Sequence, residues 1–189
     1  MTRILATFLV FISVACAQDA PAPAPTTTAG KINSAALDRL KASVRYDPAY
    51  VVLDYPGGDV PADTGVCTDV VIRTLRAALG FDLQKEVHED MRTNFSKYPK
   101  NWGAARPDKH IDHRRVPNLQ RYFERHGMAL PVSDKASDYL PGDLVAWNLN
   151  GKALWHIGVV VEHPTKRGPW IVHNIGAGPV LQDLSLIHI

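Results

Sequence analysis

Cysteine is nearly absent from this chain of 189 residues, which has two, Cys16 and Cys67. Cys16 falls in a stretch that reads as a secretory leader, residues 1–17: Thr2-Arg3, an apolar run over 4–14, and Ala15-Cys16-Ala17 as the cleavage site. A second reading makes Ser13-Val14-Ala15-Cys16 a lipoprotein box with Cys16 acylated. Either way Cys16 is withdrawn from disulfide chemistry. Cys67 then stands alone in an exported chain, periplasmic or extracellular, where an unpaired thiol is usually avoided or used. Long hydrophobic runs are also lacking. The run over 4–14 is too short for a permanent transmembrane anchor. Charge of one sign is lacking as well: at +2, with a pI near 8.6, nothing calls for nucleic acid, and only a weak attraction to anionic polymers such as cell wall is allowed. No internal repeat is visible, and no low-complexity run apart from an Ala/Pro/Thr-rich tether over 18–30, too poor in apolar surface to order itself. The remainder, in a chain 46% hydrophobic and 21% charged, reads as one ordinary globular domain, expected to be monomeric.

The best-marked helix contains Cys67. Asp63, Thr64 and Gly65 read as its opening, Val71, Leu75 and Leu79 recur at i, i+4, i+8, and Gly80 is a natural stop. Cys67 thus sits in or near the first turn, where unpaired N–H groups and the helix dipole favour the nucleophilic thiolate. The alternative is a small buried hydrophobe. Further helices are expected over 32–43, 81–91 and 119–126, with an extended, turn-rich segment over 46–59. His88 on the 81–91 helix, and Asp108, His110, Asp112 and His113 in the polar span that follows it, tempt a metal-site reading. His110 and His113 could share a metal on a helical turn, but Pro107 and Pro117 argue against a long helix and no thiolates support a structural zinc. A hydrogen-bonded loop without metal or other cofactor is the expectation. Arg114 and Arg115 are candidates to face an anionic substrate, since the guanidinium fork matches a carboxylate.

The last third changes to strands, expected over 144–147, 155–161 and 170–174 as an antiparallel meander. If the loop centres near Thr165, residues whose numbers sum to about 330 lie opposite, bringing His156 within one residue of pairing with His173; only one of His173 and Asn174 can share its face, His173 being favoured and Asn174 the alternative if the register is off by one. A cysteine on a helix N-terminus, a histidine on an adjacent strand and a polar residue on its neighbour are the parts of a cysteine hydrolase: nucleophile, base, and group orienting the base.

Gly65-Val66-Cys67-Thr68-Asp69 opening a helix, Leu140-Pro141-Gly142-Asp143-Leu144-Val145, and His156-Ile157-Gly158-Val159-Val160 resemble the order and spacing of NlpC-type and CHAP-type cell-wall amidases. More closely, Val66-Cys67-Thr68-Asp69-Val70, Val87-His88-Glu89-Asp90-Met91, the run from Ile111 to Leu119 and His173-Asn174-Ile175-Gly176 resemble a bacterial domain of unknown function in that clan, over about 44–181. The resemblance implies an α+β, papain-like fold with N-terminal helices and a small antiparallel sheet. It maps Cys67 to the nucleophile, His156 to the base and His173 to the third residue; Asn174 is a separate candidate, for binding substrate. Val66 and Thr68-Asp69 depart from the NlpC pattern, so the substrate is not carried over residue by residue. The expected activity is hydrolysis of an amide in peptidoglycan or muropeptides; an acyltransferase using the same thiolate, or a wall-binding module without activity, are the rivals. Tyr46 or Tyr55 is a candidate oxyanion donor. The final Leu184-Ser185-Leu186-Ile187-His188-Ile189 matches the translation of a transposon-end sequencing adapter and reads as a scar on a truncated domain spanning 31–183.

Overall fold

A computed structural model describes residues 25–149, 151 and 154–187. The leader, Cys16 and most of the tether lie outside these residues. Helix α1, Thr28–Arg39, begins earlier than expected, inside the segment read as tether, because the Thr27 side chain accepts the Gly30 N–H at 3.0 Å and caps it. Strands β1, Arg45–Tyr46, and β2, Thr64–Gly65, form a short parallel pair, with Tyr46 opposite Gly65. Thr64 and Gly65, expected to open the helix, are therefore strand, and helix α2, Cys67–Leu79, starts abruptly after them. It stops at Gly80 in the left-handed conformation, φ 67°, which glycine adopts without a steric cost. Helices α3, Leu83–Asn94, and α4, Val116–Arg125, follow, and Pro117 is accommodated in the first turn of α4, where its missing N–H is no loss.

Strands β3, Leu144–Leu149, β4, Leu154–Glu162, β5, Pro169–Asn174, and β6, Pro179–Asp183, make one antiparallel sheet in chain order. The fold is α+β. Alternation divides the sheet into two faces. Ile157, Val159, Val161 and Val172 pack on the helices with Cys67, Val71, Leu75 and Leu119. On the opposite face Val145, Trp147, Val160 and Ile171 form a second, smaller core that includes Leu184 at 3% exposure. Leu184, set aside with the last six residues as a scar, is thus part of the folded body, and Ile187 packs beside it. His188 and Ile189 lie outside the described residues. Among the described residues no helix is long and apolar enough to cross a membrane.

Candidate functional site

Cys67 is the first residue of α2 and is 6% exposed. The N-cap, Val66, has no side-chain acceptor, so the helix is capped from inside: Asp69 accepts the Val66 N–H at 2.6 Å. The Asp69 carboxylate is held in turn by a fork from Arg114, Nε to Oδ1 and Nη2 to Oδ2, both at 3.0 Å. Arg114 also donates to the Ala49 and Asp47 carbonyls, and its side chain is 2% exposed. Arg114 does not face a substrate; its guanidinium is consumed in fixing the turn that carries Cys67. Thr68 ties the same turn to the Arg114 carbonyl at 3.2 Å.

Strand β4 supplies the second part. Its pairing with β5 covers only Val159 to Glu162, so the backbone over 154–158 continues past the end of that ladder. There Ile157 packs in the same buried cluster as Cys67, next to His156 in the strand. Paired Val159 and Val172 give a numerical sum of 331, one residue from the expected register, and parity sets His156 and His173 on one face with Asn174 on the other. His156 Nε2 lies 2.9 Å from His173 Nδ1, and His173 Nε2 lies 2.9 Å from Gln182 Oε1 on β6. Trp147 stands edge-on to both rings, with centroids 4.6 and 5.5 Å away.

The hydrogen bonds decide the tautomers. The Gln182 amide oxygen only accepts, so His173 carries its proton on Nε2 and leaves Nδ1 to accept from His156 Nε2–H. His156 Nδ1 is left as the bare, basic nitrogen. Burial, then the neighbouring His173, pushes the His156 pKa down to about 4, and burial lowers His173 as well, with the Gln182 bond acting against it. Burial also drives the Cys67 thiol up to about 11, against the pull of the Ile157 and Thr68 N–H groups, while the Asp69 charge pushes the same way as burial. Burial thus works against the thiolate that the helix terminus favours, and against the imidazolium.

Asn174 is fully buried, donating to the Gly65 carbonyl at 3.3 Å and accepting from the Gly176 N–H at 3.1 Å. It clamps β5 to the strand before Cys67 and is not available to a substrate. Arg115 is partly exposed, 3.6 Å from Asp112 and stacked on Trp102. Tyr46 lies close enough for a Cys67 charge to raise its pKa, although burial is the larger cause. Tyr55 is elsewhere, edge-on to His88. His110 Nδ1 accepts the Leu53 N–H at 3.0 Å, and His113 is 2% exposed with its pKa pushed down to about 3, first by burial and then by Arg114. Among the described residues no three of His, Cys, Asp and Glu gather as metal ligands. Sequence reasoning missed Gln182 and the Asp69–Arg114 pair. The acid three residues past the helix start was the available signal for Asp69; a lone Gln on a short strand that begins with proline carries none.

A family described as a domain of unknown function (DUF1287) matches residues 33–189. The chain belongs to this family. The chain is also 49% identical over 171 residues to the uncharacterized protein YijF of Escherichia coli (strain K12), covering 87% of this chain and 82% of that protein. No solved structure matches.

Proposed function

We propose that this DUF1287 protein is an exported cysteine amidohydrolase with a papain-like arrangement, akin to NlpC-type and CHAP-type enzymes, that cleaves an amide bond of peptidoglycan. The observation that carries the reading is the buried hydrogen-bonded chain His156–His173–Gln182, on a sheet packed against the helix that Cys67 begins. In this reading the His156 ring, which packs with Trp147 on the sheet face away from the helices, reaches past the edge of β4, so that Nδ1 takes the Cys67 proton as the sulfur attacks the carbonyl and returns it to the leaving amine. His173 accepts from the imidazolium Nε2–H, and Gln182 keeps His173 in the tautomer that can do so. The Cys67 N–H and the Tyr46 hydroxyl, held protonated by its raised pKa, donate to the oxyanion. Water then resolves the acyl-enzyme.

The test is incubation of the purified protein with muropeptides, reading product masses. Cys67→Ala should remove nearly all turnover, and His156→Ala should cost about 10²–10⁴-fold, both with unchanged circular dichroism. Full activity in Cys67→Ala would refute the mechanism. A product carrying an added amine in place of water would assign acyl transfer instead.

A further inference from the structure

Away from Cys67 and His156, which do not line it, lies an open cleft of about 610 Å³, lined by Tyr50, His88, Trp102, Arg106, Lys109 and Arg115 together with Asp108 and Asp112. It is tied to the first turn of α2 by short links. Thr68 bonds the carbonyl of the peptide that begins Arg115, and Tyr50 follows Ala49, whose carbonyl accepts from Arg114. The walls are fixed. Buried Gln84 donates to the Asp54 and Lys109 carbonyls and accepts the Gly58 N–H, while Asp108 accepts from the Tyr50 hydroxyl at 3.0 Å and the His110 N–H at 2.9 Å.

Two features of the lining point to a ligand class. The first is aromatic: Trp102 is 57% and Tyr50 55% exposed, although both could have packed inward. Trp102 is also the one non-glycine residue at positive φ among the described residues, at 63°, a conformation a bulky side chain rarely keeps. The Arg115 guanidinium covers the indole at 4.5 Å, which leaves its other face for a ligand. The second is charge. Arg106, Lys109 and Arg115 contribute three positive charges and Asp108 and Asp112 two negative ones, and neither Arg106 nor Lys109 forms an ion pair among the described residues. Asp112 is buried and paired with Arg115, so a polyanion would meet the Asp108 carboxylate, whereas a ligand with hydroxyl donors and one carboxylate finds an acceptor in Asp108 and cations in Arg106 and Lys109. A pyranose offers an apolar C–H face to an indole and hydroxyls to carboxylates.

We propose that this cleft binds a sugar ring bearing a single carboxylate-ended substituent, the ring on Trp102 and the carboxylate on Arg106 and Lys109. Its identification with the muramyl part of a muropeptide rests on the peptidoglycan reading above. The proposal is tested on the full chain carrying Cys67→Ala, by calorimetric titration with three probes: N-acetylmuramyl-L-alanine, its C-terminal amide, and N-acetyl-L-alanine. The first should bind at least tenfold more tightly than either other. Trp102→Gly, chosen because glycine adopts the same φ freely, should erase the advantage of the sugar ring without lowering the melting temperature. Arg106→Gln with Lys109→Gln should erase the advantage of the acid over the amide. Equal binding of acid and amide, silence of Trp102→Gly, or no binding of any probe at millimolar concentration overturns the proposal. Wild-type hydrolysis of muropeptides alongside such a result would overturn the cleft alone; selective binding alongside a wild type that hydrolyses no muropeptide would overturn the hydrolase reading alone.

Discussion

At the scale of single residues, the decisive quantity is the protonation of Cys67. The positive end of α2 and two N–H groups favour the thiolate, but burial removes more than they supply, and the thiol pKa is pushed up to about 11. Alkylation of Cys67 by iodoacetamide should therefore rise steadily between pH 6 and 10, without the plateau at neutral pH that a standing thiolate–imidazolium pair would give. A flat profile over that range would show that the ion pair exists at rest. The sequence places Cys67 at the helix start because capping and periodicity are local, yet desolvation depends on what the strand brings over it. Gln182 was illegible for a related reason: its role exists only once β5 and β6 pair, and nothing in its neighbours marks it as different from any strand glutamine.

At the scale of elements, helix α2 lacks an ordinary cap and borrows one. Asp69 turns back to the Val66 N–H, and Arg114 neutralises it from the 3₁₀ turn Asp112–Arg114. Replacing Arg114 by Met leaves a carboxylate buried without a partner, and the expected cost is about 3–5 kcal/mol, measured by urea unfolding against wild type. A loss below about 1 kcal/mol, in the range of an exposed pair, would mean that Asp69 does not depend on Arg114. The expectation that Arg114 met substrate came from its chemistry alone, and the same fork that fits a substrate carboxylate fits a carboxylate of the protein. The partners are 45 positions apart, beyond the reach of any helical or strand period. The strand register, by contrast, was nearly legible, because a symmetric hairpin loop between β-branched runs leaves few pairings that bury both inner faces. A sum of 330 taken literally sets Asn174 opposite His156; the observed sum is one higher, and that shift of one is what turns His173 to the face of His156.

At the scale of the molecule, several histidines are held neutral by burial. His113 and His156 have pKa values pushed down to about 3 and 4, and those of His173 and His88 are lowered too. An unfolded histidine takes up its proton near 6.5. Between that value and the folded pKa the unfolded chain binds more protons, so stability is complete above about pH 6.5 and is lost as pH falls toward 4 and below. Asp112, raised by burial, acts in the opposite sense but is one group against four. Calorimetric scans should show the melting temperature falling from pH 7 to pH 5, before most carboxylates titrate; a constant value would contradict the neutral, buried histidines.

The order of the sheet has a consequence in time. Cys67 is synthesised early, whereas Gln182 belongs to β6, the last strand among the described residues. At roughly 5–20 residues per second, the sulfur exists for several seconds before the residue that sets the histidine tautomers has been made. During that interval the nascent chain holds its thiol without the paired histidines, so on the hydrolase reading proposed above the activity waits for β6.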